Sequence, residues 1–441
     1  MTGVPHPVRA STHRGMVVFT VAIAAYFVAV LHRTSLGVAG VEAIDRFSLG
    51  ATALSMFSVV QLAVYAGMQL PAGRLLDRFG ARVVIGGGSA VMAAGQLLLA
   101  YADSVPLALV ARVLIGAGDA GIFISAVRLV AQWFPPTKAP LLVQVTGLVG
   151  QSGQLASAIP VAWLVHRHGW TPTFTVLAVV GTVATVAAFW FIREPAATGP
   201  AAPHDASFLR AVRLAVQPAG TRLGWWSHFA TPFSANVVAL LWGVPFFVTA
   251  QGRTTAEAGA LLTALTITAM VTGPLIGRLT GRHPLHRSWI VLGSCLLSLV
   301  AWLLVLVPGT PRPLWQLVLF VVLIGAGGPV SLVGIDFARS FSPAERLGTA
   351  SGFVNTGGFV STIVGVLAVG VVLQAVSPAG ATTYSLDAYR WAFSVLLVPW
   401  ALGVWGVLHS RARTHVALAE QGVVVPTIRA AVRRRGPHSR P

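Results

Sequence analysis

Twelve stretches of about 20 apolar residues, separated by short polar turns, constrain this chain more than any other feature. Coiled as an α-helix, such a run matches the hydrocarbon thickness of a bilayer and satisfies its own backbone hydrogen bonds there. The first six spans are expected at residues 16–41, 50–73, 81–102, 105–132, 139–165 and 171–192. The other six are expected at 225–250, 256–277, 288–308, 314–340, 346–376 and 389–409. Only 10% of the residues are charged, against roughly 25% in soluble proteins. The sequence therefore predicts an all-α integral membrane protein with a membrane-embedded core. The apolar run that starts at Met16 imitates a signal peptide, with Val38-Ala39-Gly40 as a poor cleavage site. It continues to spanning length, so it reads as a retained first helix.

A formal net charge of +18 would suggest nucleic acid as a partner for a soluble chain. Here the basic residues sit in loops and tails, and topology accounts for them without nucleic acid. With both termini on the cytoplasmic side of the cell membrane, 22 Lys and Arg fall inside. Five fall outside (Arg46, Arg167, Arg253, Arg312 and Arg390) and three lie within helices. That asymmetry is the positive-inside pattern, and shifting the count by one helix would destroy it. Cys295 is the one cysteine, so no disulfide forms within the chain.

The two halves repeat. Leu114–Gly118 reads LIGAG and so does Leu323–Gly327; WFPP at Trp133–Pro136 is answered by SFSP at Ser340–Pro343. TGLVGQSGQ from Thr146 parallels SGFVNTGGF from Ser351, giving offsets of 209, 207 and 205. Parallel repeats of this kind build two pseudo-symmetric six-helix bundles with a solute site near the midplane. The expected organisation is an N-terminus (1–15), a first bundle (16–192), a cytoplasmic linker (193–224), a second bundle (225–409) and a basic tail (410–441). The linker is rich in Ala and Pro with room for a short amphipathic helix. The tail ends in Arg433-Arg434-Arg435 and either touches anionic lipid or stays solvated.

Between spans 2 and 3 lies GRLLDRFGAR, Gly73 to Arg82, a brief turn with one acid among three arginines. Gly73 and Gly80 allow close approach and a tight backbone; Asp77 can form an ion pair or cap a neighbouring helix. The spacing G-x-x-x-D-R-x-G-x-R resembles the signature loop of the major facilitator superfamily. The resemblance implies a twelve-helix fold in which Gly73, Asp77, Arg78, Gly80 and Arg82 latch the cytoplasmic side during transport. Gly277–His283, GRLTGRH, looks like a degraded second copy without the aspartate. Asp336 and Arg339, with Glu345 and Arg346, are expected to form gate ion pairs that meet this loop.

Ionisable groups inside a span are costly and usually line a cavity or a proton path. Span 1 carries His32 and Arg33; span 4 carries Arg112, Asp119 and, near its end, Arg128. At about 1.5 Å rise per residue, Arg33 and Arg112 lie at similar depth and Asp119 lies about 10 Å deeper on the face of Arg112. Tyr26 shares a face with Arg33, and Gln61, Tyr65 and Gln69 form one polar stripe on span 2. Gln151 on span 5 and Asn355 on span 11 stand at or beside matching places of the repeat. YFVAVLHRTSLGVA, Tyr26 to Ala39, resembles the first helix of organophosphate:phosphate antiporters and of sialin-like anion:cation symporters. That likeness implies that Arg33 binds an anionic group of the substrate. It also implies that Asp119, seven residues after Arg112, takes a coupling proton. This chain departs from the symporters in having His32 where they place an acid. It departs from the antiporters in offering only His228 and Asn236 on span 7.

The expected substrate ligands are Arg33, Arg112, Tyr26, His32, Gln61, Tyr65, Gln151 and Asn355, with Asp119 as the proton site. Against this stand blander readings: Arg112 with Asp119 as a static ion pair, Arg33 bonded to backbone carbonyls, His32 a neutral hydrogen-bonding group. The sequence contains no phosphate-cradling loop, no metal-ligand cluster and no His-Glu-x-x-His, so an enzyme, a resident cofactor and a nucleotide-driven pump are not expected. The leading expectation is a monomeric, proton-coupled transporter of a small organic anion, either a carboxylate or a phosphate ester. A drug:proton antiporter is the alternative, although GQSGQ from Gly150 lacks the Gly-Pro often seen in span 5 of that class. A transporter-like sensor would call for a longer extension than this tail.

Overall fold

The computed structural model describes residues 12–47, 51–195, 207–378 and 384–423, and helices with short turns account for nearly all of them. The spanning helices are α1 (Thr12–Val38), α2 (51–79), α3 (81–101), α4 (Val105–Trp133), α5 (139–168) and α6 (Trp170–Phe191). They continue as α7 (Ala219–Ala250), α8 (Thr255–Arg282), α9 (Arg287–Leu306), α10 (Leu314–Phe341), α11 (Leu347–Val376) and α12 (Leu386–Glu420). The expected order and number of spans hold, and most ends agree within a few residues. The basic run Arg433–Arg435 lies outside the described residues.

Three boundaries differ. The stretch from Gly73 is not a loop: α2 stays helical through it, and Gly80 alone turns the chain at φ 78° and ψ 171°. Only a residue without Cβ adopts that conformation readily, so one glycine does the work expected of ten residues. The start of α7 lies at Ala219 instead of 225, inside the expected linker, whose remaining described part forms the short helix Phe208–Val216. At the other end α12 runs on to Glu420, so the expected tail is helical from 410 to 420.

The chain divides into two compact units. One holds the residues through Ala215 together with Pro343–Phe353; the other holds Val216–Ser342 and the chain from Val354 onward. In each, helices at the periphery bury one stripe and leave an apolar one exposed. On α6 Val176, Val179, Val183, Val186 and Trp190 are among the exposed residues, while Phe174, Leu177 and Gly181 face inward. The exposed set recurs at helical spacing and is as apolar as the buried one, which identifies a lipid-facing surface. In the first unit, close approach between helices comes from small residues. A Cβ on Gly116 would fall 2.5 Å from the Gln61 carbonyl, and one on Gly153 would fall 2.5 Å from that of Phe27. The second unit is packed around aromatic rings, with Phe246, Trp302, Phe320, Tyr389 and Phe393 buried together.

Two spans contain wide π turns. Ser157–Val161 interrupts α5 around Pro160, and Val238–Trp242 and Phe246–Ala250 flank Pro245 in α7. Proline has no N–H to complete the i−4 bond and its ring crowds the preceding turn, so the ladder widens there instead of breaking.

Candidate functional site

The polar centre of the first unit is built by α1, α2 and α4. Arg33 grips Asp119 with two donors, Nε to Oδ2 at 2.6 Å and Nη2 to Oδ1 at 3.0 Å. The guanidinium lies 4.6 Å over the ring of Tyr65 from α2. Asp119 is fully buried, whereas the Arg33 side chain remains 24% exposed. The bidentate fork and the ring face together fix the guanidinium in one plane. The Tyr26 ring, two turns below Arg33, tilts on Phe123 at 5.3 Å, and Gly150 of α5 gives it space.

This arrangement corrects the expected pairing of Arg112 with Asp119. Side chains on a helix lean toward its N-terminus. On α4 this carries Arg112 away from Asp119, and on the antiparallel α1 it carries Arg33 toward it. The depth gap of about 10 Å computed from Cα positions is closed by two side chains leaning toward each other. Arg112 is instead 1% exposed, donates Nη2 to the Arg33 carbonyl at 3.2 Å, and leaves Nε and Nη1 without a protein partner. Gln61 is equally sealed, and neither amide atom of its side chain has a partner. Neither residue meets open space in this structure, so both stand behind the Arg33 fork and not on an accessible surface.

His32 stands apart from Arg33. It is fully buried, faces α6 with Nε2 2.9 Å from the Leu177 carbonyl, and fits beside Gly181. Being next to Arg33 in sequence puts it about 100° around the helix, outside the Arg33 cluster. Gln69 bonds back to the carbonyls of Tyr65 (3.3 Å) and Ala120 (3.4 Å). The latter is available because α4 is interrupted immediately after Asp119. Gln151 is half-buried with its Oε1 unpaired. Asn355 belongs to the second unit, where its side chain bonds to His228.

At the basic end of the first unit Asp77 acts as a hub. Its Oδ1 accepts from the Gly348 amide (2.7 Å) and Arg128 Nη1 (3.1 Å); its Oδ2 accepts from the Thr349 amide (2.8 Å) and hydroxyl (2.5 Å). The carboxylate thus caps the N-terminus of α11, where amides without helical partners and the helix dipole favour an anion. Gly73 and Gly348 meet backbone to backbone; a Cβ on either would fall 2.6 Å from the other's carbonyl oxygen. Arg128 also approaches Glu194 at 3.7 Å, and Glu194 accepts from Gln132 and from the Ala81 amide just after the Gly80 turn. Arg78 and Arg82, expected in the same latch, are both exposed, and Arg78 lies against the Phe79 ring. In the second unit Asp336 pairs with Arg339 one turn along the same helix, at 3.3 Å. Sequence reasoning missed Thr349, Glu194 and the hub role of Arg128. The signal available was a Thr two residues into a span whose start carries no acid.

The geometry stands beside similarity to known proteins. The family profile of the Major Facilitator Superfamily matches residues 22–250 and 224–436. The probable galactarate/D-glucarate transporter GarP of Escherichia coli (strain K12) is 32% identical over 171 residues, so the match spans 37% of this chain and only 38% of the length of GarP. The probable galactarate/D-glucarate transporter GudP of the same organism is 23% identical over 77% of this chain and 83% of its own. The methylenomycin A resistance protein of Streptomyces coelicolor is 23% identical over 80% and 84%. Among solved structures, the human organic anion transporter MFSD10 (TETRAN) superposes with a TM-score of 0.66 at 16% identity, covering 89% of this chain and 99% of that one. With its twelve spans, its internal repeat and a profile match over nearly the whole length, this chain belongs to the Major Facilitator Superfamily.

Proposed function

We propose that the protein is a monomeric secondary transporter of the bacterial inner membrane, with both termini cytoplasmic, that moves small organic acids together with protons. The observation that carries the reading is the Arg33–Asp119 fork: a cation partly open to solvent, held by a fully buried carboxylate. A substrate carboxylate is an equivalent ligand for the same guanidinium and can replace Asp119 on it. Once displaced, a buried, unpaired Asp119 would cost several kcal/mol. Taking up one proton removes that cost, so the anion and the proton favour each other's binding. Organic-acid relatives such as GarP and GudP support a sugar-acid or similar carboxylate as the substrate. Tyr65 and Tyr26 would orient it beside Arg33, and the Asp77 hub would serve as the cytoplasmic latch.

The test is flux in proteoliposomes with a pH-sensitive dye inside. Glucarate, a hexuronate and sulfoacetate are added outside in turn, with a lipophilic cation as the contrast. An accepted acid should acidify the lumen of wild-type vesicles. Asp119→Asn should still exchange labelled substrate but lose proton-driven accumulation. Arg33→Ala should lose both by at least about 100-fold, the equivalent of ~2.7 kcal/mol. If lipophilic cations alone move, and Arg33→Ala moves them as well as wild type, the anion reading fails and drug:proton antiport takes its place.

A further inference from the structure

We propose that the second unit holds a site for a phosphate group at the N-terminus of α9, and that its ligand is the headgroup of an anionic phospholipid. A cavity of about 190 Å³ opens there, lined among others by Leu223, Leu285, Arg287, Ser288, Phe341 and His415. Arg287 is 7% exposed, and its Nη1 donates to the Asp336 carbonyl and to Ser340 Oγ, both at 2.9 Å. Its Nε is buried with no protein partner. From α12, Arg411 reaches Ser288 Oγ with Nε at 3.0 Å and lies 4.6 Å over the Trp289 ring.

Charge at this end is unbalanced. Asp336 is the nearby acid; its carboxylate pairs with Arg339 and also attracts Arg287, so one acid is shared between two arginines. Arg287 and Arg411 therefore have no carboxylate of their own among the ion pairs of the described residues. Two guanidinium groups beside the first turn of a 20-residue helix form a site that favours an anion with several acceptor oxygens. Most of the wall is hydrocarbon, and Trp289 (44% exposed) and Leu285 (40% exposed) flank the site on the lipid-facing surface. An exposed tryptophan at this level marks the headgroup layer. A phosphate diester carried on acyl chains therefore fits better than the free ion. Basic pockets between spanning helices hold such headgroups. The site lies outside the Arg33 cluster and does not depend on the transport reading.

The experiment measures thermal stabilisation of the purified full chain, and lipid retention by native mass spectrometry, across titrations with phosphatidylglycerol, phosphatidylcholine and inorganic phosphate. Phosphatidylglycerol should raise the melting temperature of wild type and be retained. Arg411→Gln and Arg287→Gln should each weaken that effect about tenfold, the loss of one charge-assisted contact. Arg413→Gln, an exposed neighbour on α12, should match wild type. Should Arg287→Gln fail to fold, Arg411→Gln against Arg413→Gln still decides. Stabilisation by inorganic phosphate at millimolar concentration that depends on the same two arginines would keep the phosphate site but assign it to a soluble ligand. Equal retention of phosphatidylglycerol by Arg411→Gln and wild type, or equal stabilisation by phosphatidylcholine, would overturn the proposal.

Discussion

The two units share a packing plan but differ in what they bury. In the first, the glycine at the centre of LIGAG, Gly116, meets the Gln61 carbonyl of α2; in the second its counterpart Gly325 meets the Leu265 carbonyl of α8. The break that follows Asp119 in α4 returns in α10 as the tight turn Gly328–Leu332. Carried forward by the same 209 residues, however, Arg112 becomes Val321 and Asp119 becomes Gly328. Val321 is fully buried in the aromatic core. Asp77 likewise becomes Gly281 in the second copy of its turn. Shape has been kept by backbone contacts that need only small residues, while the charges of Arg112, Asp119 and Asp77 have no counterpart at the matching places of the second copy. A repeat can therefore be legible from its glycines and still say nothing about where the chemistry sits.

Three tests would break or sharpen this contrast. The largest effect is expected from Val321→Arg, which places a guanidinium in a wall of aromatic rings with no acid to meet it. An uncompensated buried charge costs ~3–5 kcal/mol, so the apparent melting temperature should fall sharply or the protein should fail to accumulate. A well-behaved Val321→Arg protein would mean that the second unit tolerates charge as readily as the first. Next come Gly116→Ala and Gly325→Ala. Each drives a methyl into a carbonyl of the neighbouring helix, and overpacking of that kind costs ~1–3 kcal/mol. Similar losses in thermal melts of both variants would support an equivalent packing role, whereas a loss in one alone would confine it to one copy. The smallest is Asp77→Asn, which keeps one acceptor and loses the charge on the α11 cap, a change of ~1 kcal/mol. It should raise the labelling rate of a cysteine placed at Thr349 in a Cys295→Ser background, while Gly281→Asp should leave that rate unchanged.

The spans were legible because a bilayer admits so few solutions for a long apolar run. Arg33 and Asp119 were legible as costly residues, but their pairing was not. Their Cα atoms differ in depth along the helix axes, and only the lean of each side chain toward its helix N-terminus brings the charges together. His32 and Arg33 show the same limit in rotation: adjacent letters, one facing α6 and the other α4. The partners of Asp77 were hidden for another reason. Two of its four contacts are backbone amides, and an amide looks the same under almost every side chain. Arg128 and Glu194 lie 66 residues apart in the chain, and no local pattern announces that a glycine turn will bring them together.

The π turns in α5 and α7 carry a consequence for how this chain tolerates change. A wide turn accommodates one residue more than an α turn over the same rise, so each is an insertion that the fold has already absorbed. Losing one residue from Ser157–Val161 would tighten that turn to an ordinary one and leave both flanking faces in phase. The same loss from the unbroken α6 would rotate everything beyond it by about 100° and exchange its lipid-facing stripe for its buried one. Length variation between relatives should therefore gather at the proline-marked π turns of these two helices, well inside the membrane, as well as in the loops.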